Sequence, residues 1–184
     1  MVMMAVMSKS KKPLATALDP LKATTGIGHV VNDYINLMWC RWAVDQNACF
    51  PDLVRSHMAF SYFLPHRAFT DFFMKETRWE PKDWTSGDHD VLAVDYSDYP
   101  RGSYKHKEWD EWCEHMNTHL FHINYHRGKA KKKFDAQPVV KQLFPEFEEN
   151  WRHFFGSLRG DFPNLFRQAI NRRRHEFPTI TLYP

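Results

Sequence analysis

The sequence predicts a mainly α protein, a single bundle of about five or six helices with a long ordered loop at about residues 78–104. Three observations carry that expectation. Apolar residues recur at spacings of three and four along most of the chain, the period of one helix face. Alternating, strand-like runs are nearly missing. A content of 43% hydrophobic and 16% aromatic residues in 184 supplies enough apolar surface for one core.

Residues 1–20 read as a flexible tail and 21–184 as one helical domain. The opening MVMMAVM precedes SKSKK, whereas a secretory signal carries its positive charges before the apolar stretch. Met7 is an alternative start. The segment GIG at 26–28 is expected to end the tail, and Val30, Tyr34, Leu37, Met38 and Trp42 then mark a helix over about 29–46. Pro51 and Asp52 form a start signal for a second helix through Leu53, Met58, Phe60 and Phe63. Pro65 is expected to kink or break it, since proline lacks the amide donor. Helical spacing resumes over 66–77 with Phe69, Phe72 and Phe73 inward.

Between Arg78 and Tyr104 the composition shifts to Pro, Gly, Asp, Ser and Tyr, with VLAVDY at 91–96 as its apolar island. A loop of that length in a compact domain is often functional. One long helix is expected from about Lys105 to Arg127, with a seam of Trp109, Cys113, Met116, Leu120 and Ile123. Lys129 and Lys131 to Lys133 close it, where basic residues favour the helix dipole. After Pro138 the pattern predicts an amphipathic turn at 139–144, a helix near 146–158 and a last helix near 162–174.

Charge and cysteine usage narrow the class. The net charge of +3 permits a nucleic-acid partner without requiring one. No apolar run reaches the roughly 18 residues of a membrane span, so no membrane partner is expected. Cys40, Cys49 and Cys113 form no CxxC pair, which fits a reducing, cytoplasmic setting. No phosphate loop, GxGxxG, GxSxG or HExxH motif is present.

The long helix carries His115, His119, His122 and His126 on one flank, roughly 90° from its apolar seam. Aligned imidazoles bind metal, line a hydrogen-bonded helix interface or face solvent. Their spread of about 16 Å along the axis means that only neighbouring pairs share an ion, with Glu108 or Glu111 as further ligands. A divalent metal at His115, His119 and His126 is therefore one expectation.

Three segments resemble a group of uncharacterised bacterial helical proteins. They are AFSYFLPHRAFTDFF at 59–73, DVLAVDY at 90–96 and MNTHLFHINYHR at 116–127, against AFLxHxRxxxDFF, DDIxAxDF and INKxLxHLTYxR. The resemblance spans roughly 59–127 and carries positions without roles: His66, Arg67 and Asp71, then Asp90 and Asp95, then Asn117, His122 and Arg127. GDHD before VLAVDY and the intruding Pro65 depart from the shared pattern, and of the stacked histidines it includes His122. The stretch RGSYKH, from Arg101 to His106, also resembles the Arg and His motif of HEPN proteins, which implies RNA cleavage or binding.

Chemistry gives the shared set a joint use. Arginines at apolar-seam positions, such as Arg67 beside Phe69 and Arg127, rarely stay buried unpaired, and Asp71, Asp90 and Asp95 are natural partners. In the sharper version Arg67 or Arg127 holds an anion, His122 acts as acid or base, Asp95 completes the catalytic set, and Asp71, Asp90, Asn117 and His66 bind ligand. That protein binds or processes RNA or another phosphate-bearing ligand. In the plainer version the residues form a structural ion-pair network in a non-catalytic interaction or scaffold protein, with nucleic acid or another protein as partner. A metal-binding bundle built on the histidine stripe is the third expectation. His122 and Arg127 point about 140° apart on an ideal helix, so convergence requires a long arginine reaching around.

Overall fold

The computed structural model describes residues 17–46, 49–75, 91–99, 136–176 and 181–182. These hold four α-helices, α1 (Pro20–Asp45), α2 (Asp52–Met74), α3 (Ala136–Gly156) and α4 (Phe162–Arg173), with short 3-10 turns at Ala93–Asp95 and Arg174–Glu176. No strand occurs among the described residues, where Ser97 and Leu158 form one isolated antiparallel bridge. The expected mainly α class holds. The long helix at 105–127, with the histidine stripe, and most of the 78–104 loop lie outside the described residues.

Helix α1 starts at Pro20, well before the expected position. The Asp19 carboxylate accepts the Leu21 amide at 3.0 Å, and Pro20 at the first turn has no amide to leave unsatisfied. The GIG segment therefore lies inside the helix and does not end a tail. Gly26 is needed for close approach: a Cβ there would meet Tyr96 Oη at 2.6 Å and Val91 Cγ2 at 2.8 Å. Side-chain packing across the helix outweighs the low helix propensity of glycine.

Helix α2 begins at Asp52 as the sequence predicts, and it runs unbroken to Met74 with Pro65 buried inside it. The expected break at Pro65 does not occur. The missing proline amide deprives the carbonyl one turn back, at Ser61, and Ser61 is exposed, which lowers the cost of the lost helix bond. Helix α3 likewise runs through Pro145, joining the separately expected turn and helix into one. Its deprived carbonyl belongs to Lys141, also exposed.

The core lies where α1 meets each of the other three helices and α2 meets α3. Aromatic rings fill it. Tyr34 of α1 stacks on Trp151 of α3 with centroids 4.2 Å apart, and Phe69 of α2 lies 5.0 Å from Phe147 and 5.6 Å from Trp151. Val139, Val140, Leu143, Phe147, Trp151 and Phe154 line the inner face of α3. Helix α4 contributes Phe162, Phe166 and Ile170 at spacings of four, which leaves its opposite side to solvent. Phe69, Phe72 and Phe73 point inward as expected, each at most 6% exposed.

Candidate functional site

Asp95 ends the 3-10 turn at Ala93–Asp95 and is 1% exposed. Its Oδ2 accepts the Leu92 amide at 2.8 Å, closing the turn on itself, and its Oδ1 accepts the Leu18 amide at 2.9 Å. The second bond pins the residues ahead of α1 to the 91–99 segment. Next to it, Tyr96 Oη donates to the Ala23 carbonyl at 2.9 Å inside α1, and its ring packs 5.2 Å from Phe162 and 5.2 Å from Phe166.

Arg159 holds the same segment from the other side. It stands in the turn between α3 and α4, where Gly160 takes φ of +51°, a conformation that favours glycine. The Arg159 amide donates to the Tyr96 carbonyl at 2.9 Å, its Nη2 donates to the Val94 carbonyl at 2.8 Å, and Nη1 lies 3.7 Å from Asp98 Oδ1. The sequence reading missed Arg159. Its signal was the RGDFP stretch, where a glycine that permits the turn sits just before a helix start.

These groups border an open cleft of about 620 Å³, walled by Leu18, Leu21, Phe162 and Leu165 and edged by Arg159 and Asp161. It has the size and apolar lining of a small-ligand pocket. Its central carboxylate, Asp95, already accepts two backbone amides, and Arg159 already donates to a carbonyl. The cleft can seat an apolar group, but its buried polar groups are engaged in holding the 91–99 segment.

The other nominated residues on α2 lie elsewhere. His66 is fully buried, its ring 5.2 Å from Tyr62 and 6.2 Å from Phe147, so it is a core ring closed to solvent. Arg67 is exposed, which corrects its expected burial in the apolar seam. Phe69, two residues on, projects about 200° further round the helix, so burying Phe69 turns Arg67 outward. Asp71, one turn beyond Arg67, is exposed with it. Arg67 and Asp71 do not line the cleft at Asp95. Asp90, Asn117, His122 and Arg127, together with His115, His119 and His126, lie outside the described residues. Among the described residues no group of three His, Cys, Asp or Glu side chains is placed to hold a metal ion.

A second groove of about 490 Å³ runs between α1 and α2, with Asp33, Asn36, Trp39, Cys40, Met58 and Leu64 on its walls. Burial pushes the Cys40 thiol up to about 11, so it stays protonated and unreactive near neutral pH. Burial also raises the Asp33 carboxyl above its ordinary range, against the opposing charge of His29. The Cys40 thiol is therefore not tuned as a nucleophile.

Neither the family models nor the curated proteins nor the solved structures contain a match to this chain. No helix among the described residues is long and apolar enough to cross a membrane.

Proposed function

We propose that this protein is a non-catalytic helical interaction module, in which Asp95, read from sequence as part of a catalytic set, holds the fold. The observation that carries this reading is the Asp95 carboxylate, buried and accepting backbone amides from Leu18 and Leu92 with its two oxygens. A carboxylate held that way organises the chain. At 1% exposure it also presents little surface from which to take a proton from a substrate. Arg159 supports the same reading, since its guanidinium donates to the Val94 carbonyl.

The test is thermal unfolding of Asp95→Asn. The variant keeps the shape and one acceptor oxygen but turns an NH2 group toward one of the two amides, so a drop of about 5 °C or more is expected. An unchanged midpoint would overturn the reading. The competing anion cleft draws on Arg67 and Asp95, and Arg67 does not line the cavity that Asp95 borders. Loss of RNA binding in folded Arg67→Ala and Arg127→Ala variants would restore it. Metal analysis of tag-free protein addresses the histidine stripe in the same direct way.

A further inference from the structure

The solvent faces of α3 and α4 differ in kind. On α3 the exposed cations have carboxylate partners: Lys141 lies 3.8 Å from Asp45 at the end of α1, and Arg152 lies 3.1 Å from Glu148 one turn away. That is an ordinary solvated face. The outer face of α4 presents Asn164, Arg167, Gln168, Asn171 and Arg172, all exposed, and the helix contains no carboxylate between Asp161 before it and Glu176 after it.

The arginines at the end of the helix divide by role. Arg173 makes a forked pair with Glu176, at 2.8 to 3.0 Å, and Arg174 donates to the Leu182 carbonyl at 3.1 Å. Arg172 makes no ion pair or hydrogen bond among the described residues. Arg167 lies with its guanidinium 5.7 Å from the centre of the Phe155 ring, a contact that steadies the side chain, and the residue is exposed. The helix dipole accounts for basic residues in the last turn. It does not account for Arg167 in the middle of the helix, nor for three carboxamides on the same face.

We infer that the outer face of α4 is a contact surface for double-stranded DNA, with Arg167 and Arg172 on phosphates and Asn164, Gln168 and Asn171 toward base edges. The charge is complementary: two exposed guanidiniums that pair with no carboxylate among the described residues face a polyanion. The side-chain chemistry fits too, because Asn, Gln and Arg carry the paired donors and acceptors that match base edges in the major groove. Shape selects the duplex. A single helix enters the roughly 12 Å major groove of B-form DNA but not the deep, narrow major groove of A-form RNA. Phe162, Phe166 and Ile170 anchor the opposite side of α4 in the core, so the face is rigidly presented. This inference rests on the interaction-module reading and names its partner.

The experiment titrates the full chain with a fluorescent DNA duplex of about 20 base pairs over a range of salt, alongside an RNA duplex of the same sequence. Binding to DNA is expected to weaken with salt. The double variant Arg167→Gln with Arg172→Gln is expected to weaken it by about tenfold or more and to reduce the logarithmic salt slope by about two. A control of equal charge change, Lys141→Gln with Arg152→Gln on α3, is expected to leave affinity near that of the parent. No DNA binding, equal loss in the control pair, or equal affinity for the RNA duplex would each overturn the inference. The Asp95→Asn unfolding result bears on the interaction-module reading alone, so the two fail separately.

Discussion

Asp95 and Arg172 are both charged residues on short segments, yet they stand at opposite extremes. Asp95 is enclosed and joined to two backbone amides from separate parts of the chain. Arg172 stands in solvent with no partner among the described residues. The contrast shows that a polar residue becomes available for recognition only when the fold does not need its bonds. Burial of a carboxylate costs several kcal/mol unless it is compensated, and Asp95 is compensated by backbone groups that would otherwise be orphaned. An exposed guanidinium incurs almost none of that cost, so the fold leaves it free.

The largest expected effect lies at the buried end of that comparison. Asp95→Ala removes the acceptor for two amides at once and is expected to cost about 3 kcal/mol, a fall of roughly 10 °C in Tm by calorimetry. A fall of only a degree or two would mean that the 91–99 segment is held mainly by Tyr96 and Arg159.

Next come the two glycines of α1, which share a helix but not an environment. Gly26→Ala drives a methyl into Tyr96 Oη and Val91, and the overpacking is expected to outweigh the gain in helix propensity by about 1 kcal/mol. Gly28→Ala meets nothing within 4 Å and is expected to stabilise by up to about 1 kcal/mol. Opposite signs in urea denaturation would confirm the close approach at Gly26, and equal signs would refute it.

A smaller effect follows from Asp33. Because its carboxyl is raised by burial, the folded state holds the proton more tightly than the unfolded chain. Stability therefore falls as pH rises from the ordinary aspartate range through the raised value, and the loss persists at neutral pH. Asp33→Asn is expected to raise Tm at pH 7 and to leave it unchanged near pH 3, a pattern that a simple lost contact would not produce.

The smallest effect is expected at the exposed end. Arg167→Gln with Arg172→Gln should stay within about 0.5 kcal/mol of the parent in stability, while changing DNA affinity. A large loss of stability would place these arginines with Asp95 and erase the contrast.

Much of the architecture was legible from periodicity alone. The start of α2 at Asp52, the inward set Phe69, Phe72 and Phe73, and the last helix from Phe162 all follow from apolar spacing and proline or aspartate start signals. Local rules failed where a distant contact overrode them. Gly26 read as the end of a tail because nothing in the neighbouring sequence reveals that Tyr96 and Val91 occupy the space a side chain there would fill. Pro65 and Pro145 read as breaks because the exposure of Ser61 and Lys141 depends on how the helices pack. Arg67 was assigned to the seam by its nearness to Phe69, although a separation of two residues turns it to the other side.

The candidate site was less legible than the fold. Resemblance grouped His66, Arg67, Asp71 and Asp95 as one set, and the structure disperses them: an enclosed ring, two exposed charges and a buried carboxylate on the cleft wall. Arg159 and Tyr96, which complete the surroundings of Asp95, were not singled out because their partners are backbone carbonyls far away in sequence.

The sequence by itself determined that the chain is mainly helical and that Phe69, Phe72 and Phe73 of α2 turn inward, because those properties depend on the 3.6-residue period and on nearest neighbours. Only the tertiary structure decided which charged residues are held by the fold and which remain free. That outcome depends on whether a backbone donor or acceptor from another part of the chain arrives within about 3 Å, and no local pattern records such an encounter.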